Sequence, residues 1–240
     1  KELIHGKTTD NPYLPDAYIN LLEENYDDTM LKAYRDGQFV NISALSTYYP
    51  FERSKNVKRC EYDRSQPVQI GLDFNNDPMC CILFNTHKVS PKVRVFDEFS
   101  LSHQGQGDLL TSRMCQTIKD KYPNNKYIVY PDASGVQRHT SAMHSDIDIL
   151  RQHGFEVKVR KSNPPVVNRV NSVNKMLEGN ILIDPRCKVL IQDLEKVTNK
   201  QGTRDIDKSN KLLTHATDAL GYAVEWLYPI IKPTLGAIDR

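Results

Sequence analysis

The chain has little of what most easily assigns a function. Its five cysteines, Cys60, Cys80, Cys81, Cys115 and Cys187, are odd in number and form no CxxC pair. Zinc-ribbon and disulfide-framework readings find no support, and the five read as reduced thiols of a cytosolic protein. No apolar run is long enough to span a bilayer and no signal-peptide pattern opens the chain, so no membrane partner is expected. There is no GxxxxGK[ST] phosphate loop, no internal repeat and no low-complexity tract. Neither sign of charge prevails: the formal net charge is +2 over 240 residues. A nucleic-acid partner would therefore have to be met by a local basic surface, not by the total. The chain opens at Lys1 without Met, as a processed product or a piece of something larger would.

What is present is organised around Gln69-Ile70-Gly71-Leu72-Asp73-Phe74, followed by Asn75-Asn76-Asp77-Pro78. Val68, Ile70 and Leu72 alternate with the period of a strand, and the Asn-Asn-Asp-Pro run is turn chemistry. Met79-Cys80-Cys81-Ile82-Leu83-Phe84 reads as the returning strand. Asp73 thus sits inside an apolar strand, where an unpaired charge is costly. Either a bound cation compensates it or backbone N–H groups at the turn do. Asp132 follows the strand Tyr127-Ile128-Val129-Tyr130-Pro131; it is a second candidate acid, or simply the cap of the next helix. Asp218 lies early in a strong C-terminal helix. On a helical wheel it falls opposite the apolar face of Leu213, Ala216, Leu220, Ala223 and Leu227, which is how an exposed residue looks. Yet Ala216, Ala219, Gly221 and Ala223 are small enough to let that helix pack closely. Three acids converging at one sheet end would repel one another unless a divalent cation neutralised them. That is the chemistry of metal-dependent phosphoryl transfer.

Residues 1–66 read as a leader with little core of its own. It holds an extended Pro-rich start at 9–15, helices at 16–25 and 28–35, a short strand at 39–42 and a charged linker at 52–66. Residues 67–240 carry the main pattern. A three-strand meander is followed by a helix over 109–121, the strand leading to Asp132, and a helical stretch from 134 to about 153. A strand at 155–159 comes next, then helices near 165–178 and 187–197 with Ile181-Leu182-Ile183 between them, and a last helix near 212–228. Early strands joined by hairpins and later ones joined through helices give an α/β fold with a mixed central sheet flanked by helices.

This order of elements, with acids after the first and fourth strands and on a late helix, resembles the ribonuclease H-like superfamily. It is closest to the C-terminal nuclease domain of the large terminase subunit of tailed bacteriophages. The likeness is carried by Gly71-Leu72-Asp73-Phe74 with Asp77-Pro78, by Tyr130-Pro131-Asp132-Ala133-Ser134-Gly135, and by His215-Ala216-Thr217-Asp218-Ala219-Leu220-Gly221-Tyr222. Asn11-Pro12-Tyr13-Leu14-Pro15 and Ala33-Tyr34-Arg35-Asp36-Gly37-Gln38-Phe39 look like the segment that joins the packaging ATPase to the nuclease. The resemblance implies a metal-dependent endonuclease that cuts double-stranded concatemeric viral DNA during genome packaging, by two-metal hydrolysis with Mg²⁺ or Mn²⁺. Asp73 would bridge both ions, and Asp132 and Asp218 would hold one each. In some members a histidine at the place of His215 assists the metal site, so His215 would ligate a metal or orient a water; otherwise it is a surface residue. The partners implied are DNA, an ATPase domain of the same full-length protein, the portal and the small terminase subunit, in the host cell cytoplasm. With no phosphate loop here, the chain would cut DNA and not translocate it. A resolvase or transposase type of ribonuclease H-like nuclease, and a non-catalytic DNA-binding or motor-docking domain, are the alternatives.

DNA would be met by basic residues. Lys200, Arg204, Lys208 and Lys211 lie in the polar connector before the last helix, and Lys158, Arg160, Lys161 and Arg169 form a second group. Phosphate contacts of this kind position a duplex without reading its sequence. A solvated charged loop is the plain alternative. Asp77 reads as the cap of the hairpin turn. Asp97, Glu98 and Asp184 are reserve acids, of which Asp184, before Pro185, reads as a turn residue.

Overall fold

A computed structural model of the chain describes residues 6–15, 17–20, 35–36, 46–75, 77–105, 109–136, 145–200, 203, 205–210 and 212–230. The strand expected over 39–42, the second half of the helix over 16–25, all but the end of the helix over 28–35, and the middle of the stretch 134–153 lie outside the described residues.

Alternating apolar side chains build a six-stranded sheet. Strand β1 (Val68–Asp73) pairs antiparallel with β2 (Met79–Thr86), and β2 antiparallel with β3 (Val93–Leu101). On the other side of β1, β4 (Tyr127–Pro131) runs parallel, and β5 (Glu156–Val157) runs parallel to β4. β6 (Ile181–Ile183) runs parallel to β3. The order across the sheet is β5-β4-β1-β2-β3-β6, the expected mixed arrangement of a ribonuclease H-like fold. The strand expected over 155–159 contracts to β5. Residues 181–183, expected only as a link between helices, form an edge strand.

Besides the helical residues 17–20, six α-helices are described with the sheet: α1 (Arg53–Asn56), α2 (Leu110–Lys121), α3 (Asp146–Gln152), α4 (Val166–Leu177), α5 (Lys188–Lys196) and α6 (His215–Leu227). Val68, Ile70 and Leu72 of β1 join Cys81 and Leu83 of β2 in one core cluster with Met114 and Ile118 of α2 and Leu150 of α3. The intervening Ile82 and Phe84 enter a second cluster with α4, α5 and α6. β2 is therefore apolar on both faces, as a strand covered by helices on both sides must be. Each such side chain, fully buried, contributes about 1.5–3 kcal/mol.

β1 turns Gly71 and Asp73 toward α6. A Cβ at Gly71 would stand 2.1 Å from the Ala219 carbonyl oxygen, so α6 lies directly on the strand backbone. Ala216, Ala219 and Ala223, all buried, permit this approach, while Gly221 faces Arg169 instead.

The charged stretch 52–66 is more than a linker. Asn56 Nδ2 donates to the Leu177 carbonyl at 2.8 Å, Val57 bridges Ile183 in parallel, and the Cys60 N–H donates to Asp184 Oδ2 at 2.9 Å. Just before it, Tyr48 is buried in the α4–α6 cluster. The reserve acids hold the fold together. Asp184 also accepts from the Arg186 N–H at 3.0 Å, as a turn residue does. Asp97 accepts from the Tyr122 hydroxyl at 2.7 Å. Glu98 accepts from the Val189 and Leu190 N–H groups at 2.7 and 2.9 Å, capping α5, whose own Cys187 supplies no side-chain cap. All five cysteines are free and buried.

Candidate active site

β1 and β4 are parallel neighbours, so their carboxyl ends lie side by side. Asp73 is the last residue of β1, and Asp132 follows β4. The Asp132 N–H donates to the Leu72 carbonyl at 3.1 Å, and its Oδ2 accepts from the Phe74 N–H at 3.2 Å. Oδ1 accepts from the Ser134 N–H at 2.6 Å. Asp132 therefore caps the short 3₁₀ turn Ala133–Val136 and also stands beside Asp73.

The third acid arrives on α6. Thr214 enters the helix with φ 84° and offers no side-chain cap. Asp193 of α5 caps it instead. The Asp193 Oδ2 accepts from the Ala216 N–H at 3.1 Å, and the Thr217 N–H also donates to this carboxylate. A carboxylate at a helix N-terminus is favourable to the helix dipole. The start of α6 is thereby pinned to α5, and with it His215 and Asp218.

His215 Nδ1 lies 3.0 Å from Asp73 Oδ2, and its Nε2 lies 3.2 Å from Asn75 Nδ2. An amide N–H facing Nε2 leaves the ring proton on Nδ1, where it donates to Asp73. Burial pushes the Asp73 carboxyl above its ordinary range; His215 opposes this, and the charges of Asp218 and Asp132 add to it. Asp73 therefore feels the charge of both other acids.

Asp218 is not on an exposed face. It is 6% exposed, because α6 packs on β1 by one side and on α4 by another. Its Oδ1 accepts from Arg169 Nη1 at 2.6 Å, and its Oδ2 faces Lys208 Nζ at 3.3 Å. The Arg169 guanidinium also lies over the Tyr222 ring, 4.3 Å from its centroid. Arg169, expected in a basic surface, is instead 5% exposed. The wheel failed because it counted Asp218 as a charge needing water, whereas a neighbouring helix supplies its counter-ion.

Residues 70–226, from β1 to near the end of α6, match the sequence model of the Terminase RNaseH-like domain. The chain belongs to this family. No curated protein matches it. Among solved structures, the large terminase of a thermophilic bacteriophage superposes with TM-score 0.63 at 17% identity, over 93% of this chain and 55% of that one. The P22 large terminase nuclease domain gives 0.56 at 16% identity, over 75% and 91%. The large terminase nuclease of thermophilic phage G20c with bound magnesium gives 0.54 at 12% identity, over 75% and 97%. At these identities the likeness is one of fold. The chain spans 55% of the length of the first of these terminases.

In this Terminase RNaseH-like domain the expected acids come together unevenly. Asp73 and Asp132 share one end of the sheet, His215 reaches Asp73 from the start of α6, and Asp218 lies one turn further along that helix with both oxygens occupied by basic partners. Among the described residues, no three His, Cys, Asp or Glu groups stand close enough to hold a metal ion. A cleft of about 260 Å³ opens beside His215, lined in part by Asn75, Asp77 and Lys208. Of the expected DNA contacts, Lys200 and Lys208 are exposed, and Arg204 and Lys211 lie outside the described residues. Lys158 pairs with Glu156 at 2.6 Å. Arg160 pairs with Glu225 at 2.8 Å and stacks on Trp226. Sequence reasoning missed Asn75 and Asp193. Asp193 carried the same signal as Asp73, a lone acid among apolar neighbours (Leu190, Ile191, Leu194).

Proposed function

We propose that the chain is a divalent-metal-dependent endodeoxyribonuclease that cuts double-stranded concatemeric viral DNA during genome packaging, by two-metal phosphodiester hydrolysis. The observation that carries this reading is that Asp73 and Asp132 stand side by side at the carboxyl ends of β1 and β4, with Asp218 on α6 near enough for its charge to act on Asp73. The donors fit Mg²⁺ or Mn²⁺. They are carboxylate oxygens, few in number, and Mg²⁺ needs only one or two of these because it keeps its waters. The magnesium in the G20c nuclease structure supports the same choice. Asp73, Asp132 and Asp218 would hold the ions. Such ions lower the pKa of an attacking water and neutralise the leaving oxygen.

The chain's own residues do the rest. His215 holds one oxygen of Asp73 and so fixes the plane of that carboxylate, rather than serving as a ligand itself. The backbone N–H groups of Phe74 and Ser134 fix Asp132 in the same way. Lys200 and Lys208, with Arg204 and Lys211 in the same connector, meet the phosphates. Lys158 and Arg160 contribute less, being committed to Glu156 and Glu225. In a full-length terminase, residues 1–66 would join this domain to the ATPase. The portal and the small subunit would be its further partners, and the host cell cytoplasm its place of action.

The test is cleavage of supercoiled plasmid with Mg²⁺, with Mn²⁺ and with chelator, beside Asp73→Ala. Metal-dependent nicking and linearisation, absent in the variant, is the expected result. Folded protein that cuts with neither metal, alone or fused to its ATPase half, would sink the proposal.

A further inference from the structure

We infer that Lys208 is a counter-ion shared between Asp218 and the DNA backbone, so that divalent-cation binding and DNA binding are coupled through one ammonium group. The inference deepens the reading above and rests on Asp218 as a metal ligand. The two oxygens of Asp218 are held by cations of opposite character. On Oδ1 stands Arg169, its side chain 6% exposed and its guanidinium over Tyr222. Withdrawing it would leave a buried charge unpaired, so it is a fixed orienting partner. On Oδ2 stands Lys208, its side chain 57% exposed, reaching in from the connector. The described part of that connector closes on itself through the Asn199–Ile206 bridge and the Lys200 N–H to Asp205 carbonyl bond at 2.8 Å.

The lysine end of this pair is exposed and its stem is flexible, and Arg169 stays on the carboxylate, so the ammonium can leave without stranding a buried charge. It borders the cleft beside Asn75, Asp77 and His215, where a strand approaching Asp73 would run. A divalent cation that takes Oδ2 must displace Lys208. A phosphate that takes Lys208 clears Oδ2. Each event therefore favours the other, and by linkage the coupling is reciprocal. In the absence of DNA the same ammonium opposes the cation.

Calorimetric titration of the whole chain with Mn²⁺ tests this without turnover. Lys208→Met should bind Mn²⁺ at least about two- to fivefold more tightly than wild type, the range of a surface ion pair being the lower bound for one whose carboxylate is buried. Lys196→Met, which removes an exposed lysine from the end of α5, should leave the affinity unchanged. In an Asp218→Asn background the Lys208 substitution should lose its effect. A phosphorothioate-linked duplex should tighten Mn²⁺ binding to wild type and not to Lys208→Met. Equal affinities in wild type and Lys208→Met, an equal gain from Lys196→Met, or equal tightening by the duplex in both proteins would overturn the coupling. A chain that never cuts plasmid but shows the Lys208 effect would fail the proposed function alone. One that cuts but ignores Lys208 would fail the coupling alone.

Discussion

Gly71→Ala is the smallest change that should disturb the whole site. The new Cβ would stand 2.1 Å from the Ala219 carbonyl oxygen, 2.9 Å from its carbon and 3.3 Å from Ala223 Cβ. Ordinary contact begins at 3.4 Å, so the carbonyl must retreat by about 1.3 Å (3.4 − 2.1). A backbone carbonyl inside a helix cannot swing aside as a side-chain tip can, so α6 must lift or β1 must bend. Overpacking of this kind costs about 1–3 kcal/mol. For a chain of this size that lowers the melting temperature by about 2–12 °C. Asp218 precedes Ala219 and His215 lies one turn before it, so the shift reaches the 3.0 Å contact between His215 and Asp73. A misplacement of about 1 Å costs on the order of a hundredfold in rate. Thermal melts and plasmid nicking by the same preparation measure both effects. Adding Ala223→Gly relieves only the 3.3 Å contact and should recover neither. A Gly71→Ala protein that melts within about 1 °C of wild type and nicks at its rate would refute the argument.

Other expectations follow from the buried acids. Asp193→Ala removes the cap of α6 and should cost about 1–2 kcal/mol in urea denaturation. The Asp193 carboxyl is pushed up from 3.8 to about 6, chiefly by burial. An acid raised in the folded state contributes stability that is present below its unfolded pKa and is lost as the pH rises through the folded one. Asp193→Asn should therefore shrink the loss of stability between about pH 4 and pH 7, and an unchanged loss would count against the assignment. Asp184 shows the reverse sign: burial raises its carboxyl, but the backbone N–H groups of Arg186 and Cys60 and the Arg186 guanidinium outweigh it and hold it below its ordinary range. Asp184→Asn should cost about 1–3 kcal/mol at neutral pH, with the difference fading as acid protonates the wild type. Mg²⁺ at a hundred times its dissociation constant should stabilise the wild type by about 2.7 kcal/mol, seen as a rise in melting temperature that Asp73→Ala abolishes.

Much of the fold was legible because β1 and β3 alternate and β2 is an unbroken apolar run that follows a turn signal. Val68, Ile70 and Leu72 announce β1, and the acid that breaks their pattern marks the sheet end. β6 was not legible: three residues between two helices carry too little periodicity to separate a strand from a link. Asp218 was found but turned the wrong way, because a helical wheel assumes that a helix has one dry side. Here Arg169 reaches Asp218 from α4 and Ala219 lies on Gly71, so α6 is dry on both. The capping acids Glu98 and Asp193 act on helices far from them in sequence. Nothing local to Val189 or Ala216 reveals them, since the signal is a cap that is missing where the helix begins.

The edges of the sheet set how other proteins can approach it. At one margin β5 is only two residues long. At the other, Val57 already lies along Ile183 of β6, and the Lys58 N–H donates to the Ile183 carbonyl at 3.0 Å. Among the described residues the open edge lies elsewhere: beyond Val95, β3 runs on to Leu101 paired with β2 alone. Strand addition is therefore disfavoured at β5 and β6 and left to that short outer stretch of β3. A partner that docks anywhere else on it grips side chains of helices and loops. Such contacts can be made and released without breaking a peptide hydrogen bond of the sheet.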